Sequence, residues 1–136
     1  MIEEKLNWSD RIMKTYPNAT KKLTDFCYDI LKGMQKTMLE GMGSDAQIPE
    51  IPQEAAKQYC HVIMATNPRI LYDFFDSKNI FLMIEPFCDE NEQKLQSFGF
   101  RILYTEYKIE NMDFKNRIEA ETAGFEQAFK FMEEKI

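Results

Sequence analysis

Apolar residues recur at steps of three and four along Leu23, Phe26, Cys27, Ile30, Leu31, Met34, Met38 and Met42, and again through Ile70, Leu71, Phe74 and Phe75. Between Ile80 and Ile109 that spacing gives way to two short runs rich in aromatic and β-branched residues. Helical spacing returns from Ile118 through Phe125 and Phe129 to Met132. Steps of three and four line one face of a helix, whereas alternate residues of a strand point to opposite faces. A chain that changes period and changes back is neither all-α nor all-β. The order predicts an α+β fold: N-terminal helices, an antiparallel strand pair, and a C-terminal amphipathic helix packed on that pair.

Prolines, glycines and caps place the boundaries. The long first helix is expected after Pro17, capped by Asn18 or Thr20 and ended by Gly41 and Gly43. Ser9 to Met13 reads as a short capped turn that stops before Pro17. Residues 43–52, closed by Pro49 and Pro52, read as a loop inside one domain spanning 1–136, because the segment before it is too short to form a core alone. Pro52 suits the first position of a second helix, with Ala56, Tyr59, Cys60, Ile63 and Met64 on one face. Asn67 and Pro68 then open a third helix from Arg69 to Phe75, and Ser77-Lys78-Asn79 turns the chain.

Ile80 to Phe87 is predicted as a strand stopped by Pro86 and the acidic cluster Asp89-Glu90-Asn91-Glu92. Phe98 to Ile109 is its partner, with Phe100, Ile102 and Tyr104 on one face and Leu103, Tyr107 and Ile109 on the other. Leu95 belongs to the loop or extends this second strand. Glu85 and Glu106 fall inside the two runs and would repel if opposed, unless Arg101 or Lys108 pairs with them. Asn116 followed by Glu119 is a capping box that opens the last helix, whose stripe is Ile118, Phe125, Phe129 and Met132, with Thr122 and Ala128 beside it.

Charge and cysteine usage narrow the function classes. The net charge is −6, and Lys21-Lys22 is the sole basic doublet, which disfavours nucleic acid and membrane surfaces as partners. No apolar run reaches the roughly 18 residues that span a bilayer, and Ile2-Glu3-Glu4-Lys5 is no signal peptide. Cys27, Cys60 and Cys88 are odd in number, widely spaced and set among apolar neighbours, so they read as buried free thiols of a cytoplasmic protein.

No catalytic or metal-binding motif is present. The single histidine, His61, follows Cys60, and adjacent helical residues point about 100° apart, so the two do not form a nucleophile pair. One His and three scattered Cys do not make a zinc site. Asp25 with Asp29 and Asp73 with Asp76 read as solvated faces, and the chain lacks a glycine-rich phosphate loop. Met34, Met38 and Met42 read first as core filling, and alternatively as an adaptable face for a partner or a second copy.

The sequence Asn116-Arg117-Ile118-Glu119-Ala120-Glu121, followed by Gly124-Phe125-Glu126-Gln127-Ala128-Phe129, resembles the ending of many small uncharacterised proteins of bacteriophages and related mobile elements. Leu71 to Ile80 is similar to their pre-strand turn, and the order agrees. The likeness covers roughly the second half of the chain. It implies a compact accessory protein of a mobile element and carries no catalytic residues with it. The expected function is therefore a non-enzymatic protein-interaction or accessory module, without cofactor or metal, binding a protein partner or itself. The alternative is a small-ligand-binding protein or enzyme with a pocket between helices and strands, where His61, Tyr104, Glu106 and Tyr107 would contribute.

Overall fold

The computed structural model of the protein describes residues 2–41, 51–89, 91 and 94–136. They form two compact units, Met1–Pro68 and Arg69–Ile136, taken here one at a time. The predicted loop at 43–52 lies outside the described residues apart from Ile51 and Pro52, as do Met42 and Gly43.

Pro17 sets the first break. It has no N–H to give to the turn before it and biases Tyr16 away from helical backbone. Two helices result, α1 (Ile2–Thr15) and α2 (Pro17–Gly41), meeting at Tyr16. α1 is a full 14-residue helix rather than the short turn expected from Ser9 to Met13. Its apolar residues are few but share one face, and Glu3 and Glu4 in the first turn and Lys14 in the last complement the helix dipole. Pro17 itself takes the first position of α2, so Asn18 and Thr20 lie inside that helix and are not caps. The Thr20 hydroxyl instead donates to the Met13 carbonyl (3.4 Å).

The third helix, α3 (Gln53–Thr66), starts one residue later than expected, with Pro52 at the capping position. It ends at Asn67, whose backbone N–H donates to the Ile63 carbonyl (2.8 Å). Asn67 therefore closes α3 and does not cap the following helix. α3 packs against both α1 and α2. Ile12, Leu23, Cys27, Ala56, Cys60 and Met64 are buried. The buried residues of α2 all lie in its first half, from Ala19 to Cys27.

In the second unit, α4 (Arg69–Ser77) buries Leu71, Phe74 and Phe75. The chain leaves α4 through Asn79 at φ 60°, a left-handed conformation that Asn tolerates better than most residues. Three strands follow: β1 (Phe81–Asp89), β2 (Lys94–Tyr104) and β3 (Tyr107–Phe114), antiparallel in the order β1-β2-β3. Leu95 thus extends β2. β1 runs through Pro86, which pairs with Phe98, instead of stopping there. Pro is tolerated because β1 is an edge strand with one row of backbone groups unpaired.

The predicted second strand is in fact a hairpin. Tyr104 pairs with Tyr107 across a two-residue turn, Thr105-Glu106, with Thr105 at φ 48°. That corrects the face assignment. An unbroken strand would put Tyr107 and Ile109 opposite Tyr104 and Ile102. After the reversal Tyr107 faces Tyr104 and Ile109 faces Ile102, so all four share one side. Glu106 sits in the turn and opposes no strand residue. Glu85 is paired as expected, with Arg101 (3.5 Å), which also reaches Glu110 (3.3 Å).

α5 (Arg117–Lys135) covers this sheet and contacts all three strands. The Asn116 side chain accepts from the Glu119 N–H (2.9 Å), and the Glu119 carboxylate accepts from the Lys115 N–H (3.3 Å). Asn116→Ala is expected to cost about 1 kcal/mol, the usual value of a lost cap. Faster amide exchange in the first turn of α5, with the rest of the helix unchanged, would be the check. Phe125, Phe129 and Met132 are buried as expected, joined by Phe131, while Ile118 is 73% exposed. Ile118 shares the helical phase of Phe125 but belongs to the first turn, ahead of Ala120, the first buried residue of the helix. Gly124 is buried against Leu82 and Phe100, and its lack of a side chain lets the helix backbone approach the sheet.

Candidate functional site

In the first unit an open cleft of about 350 Å³ lies between α1 and α3. Asp10, Met13 and Lys14 line it from α1, and Glu54, Lys57, Gln58 and His61 from α3. The two walls carry charges of both signs. Lys14 and Asp10, four residues apart on α1, form an ion pair (2.9 Å). That hydrogen bond holds the Asp10 carboxyl below its ordinary range.

His61 is fixed from behind by Ser9, whose expected place was only in a short capped turn. Ser9 is fully buried, and its hydroxyl oxygen lies 3.0 Å from His61 Nδ1. The Ser9 hydroxyl has one hydrogen to give, with the His61 carbonyl (3.3 Å) and the Met64 sulfur (3.5 Å) both in reach. The arrangement that satisfies most of these groups has Nδ1–H donating to Ser9 Oγ and the hydroxyl donating to one of those acceptors. In a neutral ring, Nε2 is then the acceptor nitrogen. Ser9 is positioned as a strut between α1 and α3; its burial denies a substrate the close approach that a nucleophile requires. Residues 52 apart in sequence leave no local signal that could have joined them.

The separation of Cys60 from His61 is as the helical phase predicts. Cys60 turns to α2, where its thiol donates to the Leu23 carbonyl (3.5 Å), while His61 turns to α1. All three cysteines are free. Cys27 and Cys60 are buried, but Cys88 is exposed, contrary to expectation.

The other nominated residues belong to the second unit. Tyr104 and Tyr107 come together across the hairpin and both meet the Phe131 ring edge-on, with centroids at 5.2 and 5.9 Å. Glu106 is exposed in the adjoining turn. They pack against the C-terminal part of α5. Tyr72 donates to the Glu121 carboxylate (2.7 Å), and burial together with that carboxylate pushes its phenol above the ordinary range. Asp25, Asp29, Asp73 and Asp76 are all exposed. Among the described residues no group of three His, Cys, Asp or Glu side chains could hold a metal ion. No described helix is long and apolar enough to cross a membrane.

The largest departure from expectation is on α2. Its apolar stripe continues past Cys27 through Ile30, Leu31, Met34 and Met38, yet Met34 is 58% and Met38 63% exposed. They are not core filling. The chain matches no protein-family profile, no curated protein and no solved structure.

Proposed function

We propose that this protein is an interaction module that pairs through the second half of α2, and that its partner is a second copy of the chain. The carrying observation is the exposed Met34 and Met38 on a helix whose fully buried residues all lie in its first half. Leu31, Met34 and Met38 follow the alternating three and four spacing of a helix-pairing seam. The positions beside that seam are Ile30, Gln35 and Thr37, none of them charged. An antiparallel pairing about a two-fold axis that sets Met34 opposite Met38 also sets Lys32 opposite Glu40 and Gln35 opposite Thr37. That register also sets Lys36 opposite its own copy, so the seam is complementary to itself in apolar character and not in charge. The likeness of the second half of the chain to small bacteriophage and mobile-element proteins supports an accessory role of this kind. The free thiols support a reducing compartment such as the cytoplasm.

Light scattering tests the reading. The wild-type protein is expected at twice its 16.1 kDa chain mass, falling towards one chain on dilution. The double variant Met34→Lys, Met38→Lys is expected at one chain mass with unchanged helix content by circular dichroism. A wild-type protein that stays at one chain mass at every concentration would sink it. The cleft beside His61 favours a second reading, a site for a small polar ligand. A melt screen against small zwitterions and dicarboxylates, compared between wild type and His61→Ala, separates the two.

A further inference from the structure

We propose that Met34 and Met38 are an oxidation site that controls pairing through α2: a peroxide converts their thioethers to sulfoxides, and the oxidised chain no longer pairs. The inference rests on the pairing proposed above and adds its regulation. Both methionines of α2 are exposed, Met34 at 58% and Met38 at 63%. Met64 and Met132, by contrast, are buried, and Met13, Met83 and Met112 are half-buried. Among the described residues nothing lies within 4 Å of a Cβ added at Gly33, beside Met34, so the helix is open there as well. Residues four apart lie on one side of a helix, so a single oxidant reaches both thioethers from the same side.

The chemistry needs no deprotonated group. A lone pair on the thioether sulfur attacks one oxygen of hydrogen peroxide, an S–O bond forms, and the O–O bond breaks. The departing hydroxide takes the proton from the transferred oxygen and leaves as water. Each sulfur loses two electrons to one peroxide, and the product is a polar sulfoxide that reductases return to the thioether. The consequence for the seam follows from burial. Pairing sets Met34 opposite Met38, so the four sulfoxides of an oxidised pair would meet where the chains exclude water, and a polar group buried without a hydrogen-bond partner is costly. Leucine at both positions would supply an apolar seam of the same kind without this sensitivity. Because pairing covers the sulfurs, oxidation draws on the unpaired chain and pulls the equilibrium towards it by mass action.

The experiment uses the full chain carrying Cys88→Ser, which removes disulfides between chains through that exposed thiol. Hydrogen peroxide is added and quenched, oxygen uptake is assigned by peptide mass, and chain association is read by light scattering. Met34 and Met38 are expected to gain one oxygen each before Met64 and Met132, and faster in dilute protein. The pair should then fall to single chains, its dissociation constant raised at least about tenfold, and methionine sulfoxide reductase should restore it. The variant Met34→Leu, Met38→Leu in the same background should pair and stay paired through the same treatment. The control by oxidation is overturned if the pair outlasts sulfoxide at both positions, if the leucine variant also comes apart in peroxide, or if the buried methionines react first. An unoxidised chain that never pairs removes the pairing itself, and this control with it.

Discussion

Phe129→Ala is expected to lower the stability of the second unit by about 3–5 kcal/mol, the range for removing a buried aromatic ring and leaving a cavity. Phe129 is fully buried, with its ring 5.1 Å from that of Phe75 and 6.5 Å from that of Phe74. Phe125 continues the cluster towards Phe75 and Tyr72. These rings arrive from α4 and α5, so no single neighbour can collapse into the space. Set against a usual stability of about 5–15 kcal/mol, the loss is a large fraction of the whole. Ile118→Ala is the control. Ile118 was expected in the same stripe but is exposed, and its loss should stay within about 0.5 kcal/mol. The readout should be amide exchange in α5 and β2. The sole tryptophan, Trp8, sits in the first unit. Equal effects of the two substitutions would contradict the packing described for α5.

Gly99→Ala is expected to be the most damaging small substitution in the sheet. The pairing of β2 with β3 slips between Phe98 and Phe100, where Phe114 and Asn111 are the respective partners, so β3 carries one extra residue there. The backbone of that bulge lies directly over Gly99. A Cβ would stand 2.6 Å from the Asn111 carbonyl oxygen and 2.8 Å from Met112 Cα, and would also strike the Met112 sulfur. The sulfur can swing away; the backbone cannot. Overpacking of this kind costs about 1–3 kcal/mol, and the backbone clash places Gly99→Ala at the upper end. Gly33→Ala on the exposed side of α2 should have the opposite sign. Nothing lies within 4 Å of the new methyl, and alanine in a helix is worth about 0.5–1 kcal/mol over glycine. Urea melts followed by exchange in β2 and β3 distinguish the cases. A Gly99→Ala protein as stable as wild type would mean that the bulge re-registers without cost.

The hairpin shows why part of the second unit was hard to read. Two-residue turns usually announce themselves with Asn-Gly or Asp-Gly, residues that adopt positive φ cheaply. Here Thr105, a β-branched residue, takes that conformation next to Glu106, and the run from Phe98 to Ile109 looks continuous. The turn is imposed by what it brings together: Tyr104 and Tyr107 against Phe131, and Ile102 beside Ile109. α1 was under-read for a related reason. Its apolar residues are few, although they share one face, and its place depends on partners such as His61 far along the chain.

What the sequence determined by itself is local. The change of hydrophobic period dictated an α+β fold, Pro17 separated two helices, and Asn116 with Glu119 capped the last one, because each acts within a turn or two of its own position. The burial of Phe125, Phe129 and Met132 was legible for the same reason: the stripe and the helix share one period. Tertiary structure alone decided which stripes find a partner. Leu23 to Cys27 and Met34 to Met38 carry the same apolar spacing on one helix, yet the first half is buried and the second stands exposed. Spacing states which face a helix would bury. Whether anything lies opposite that face depends on residues distant in the chain. Ser9 reaching His61, and Cys60 reaching the Leu23 carbonyl, are contacts of that second kind.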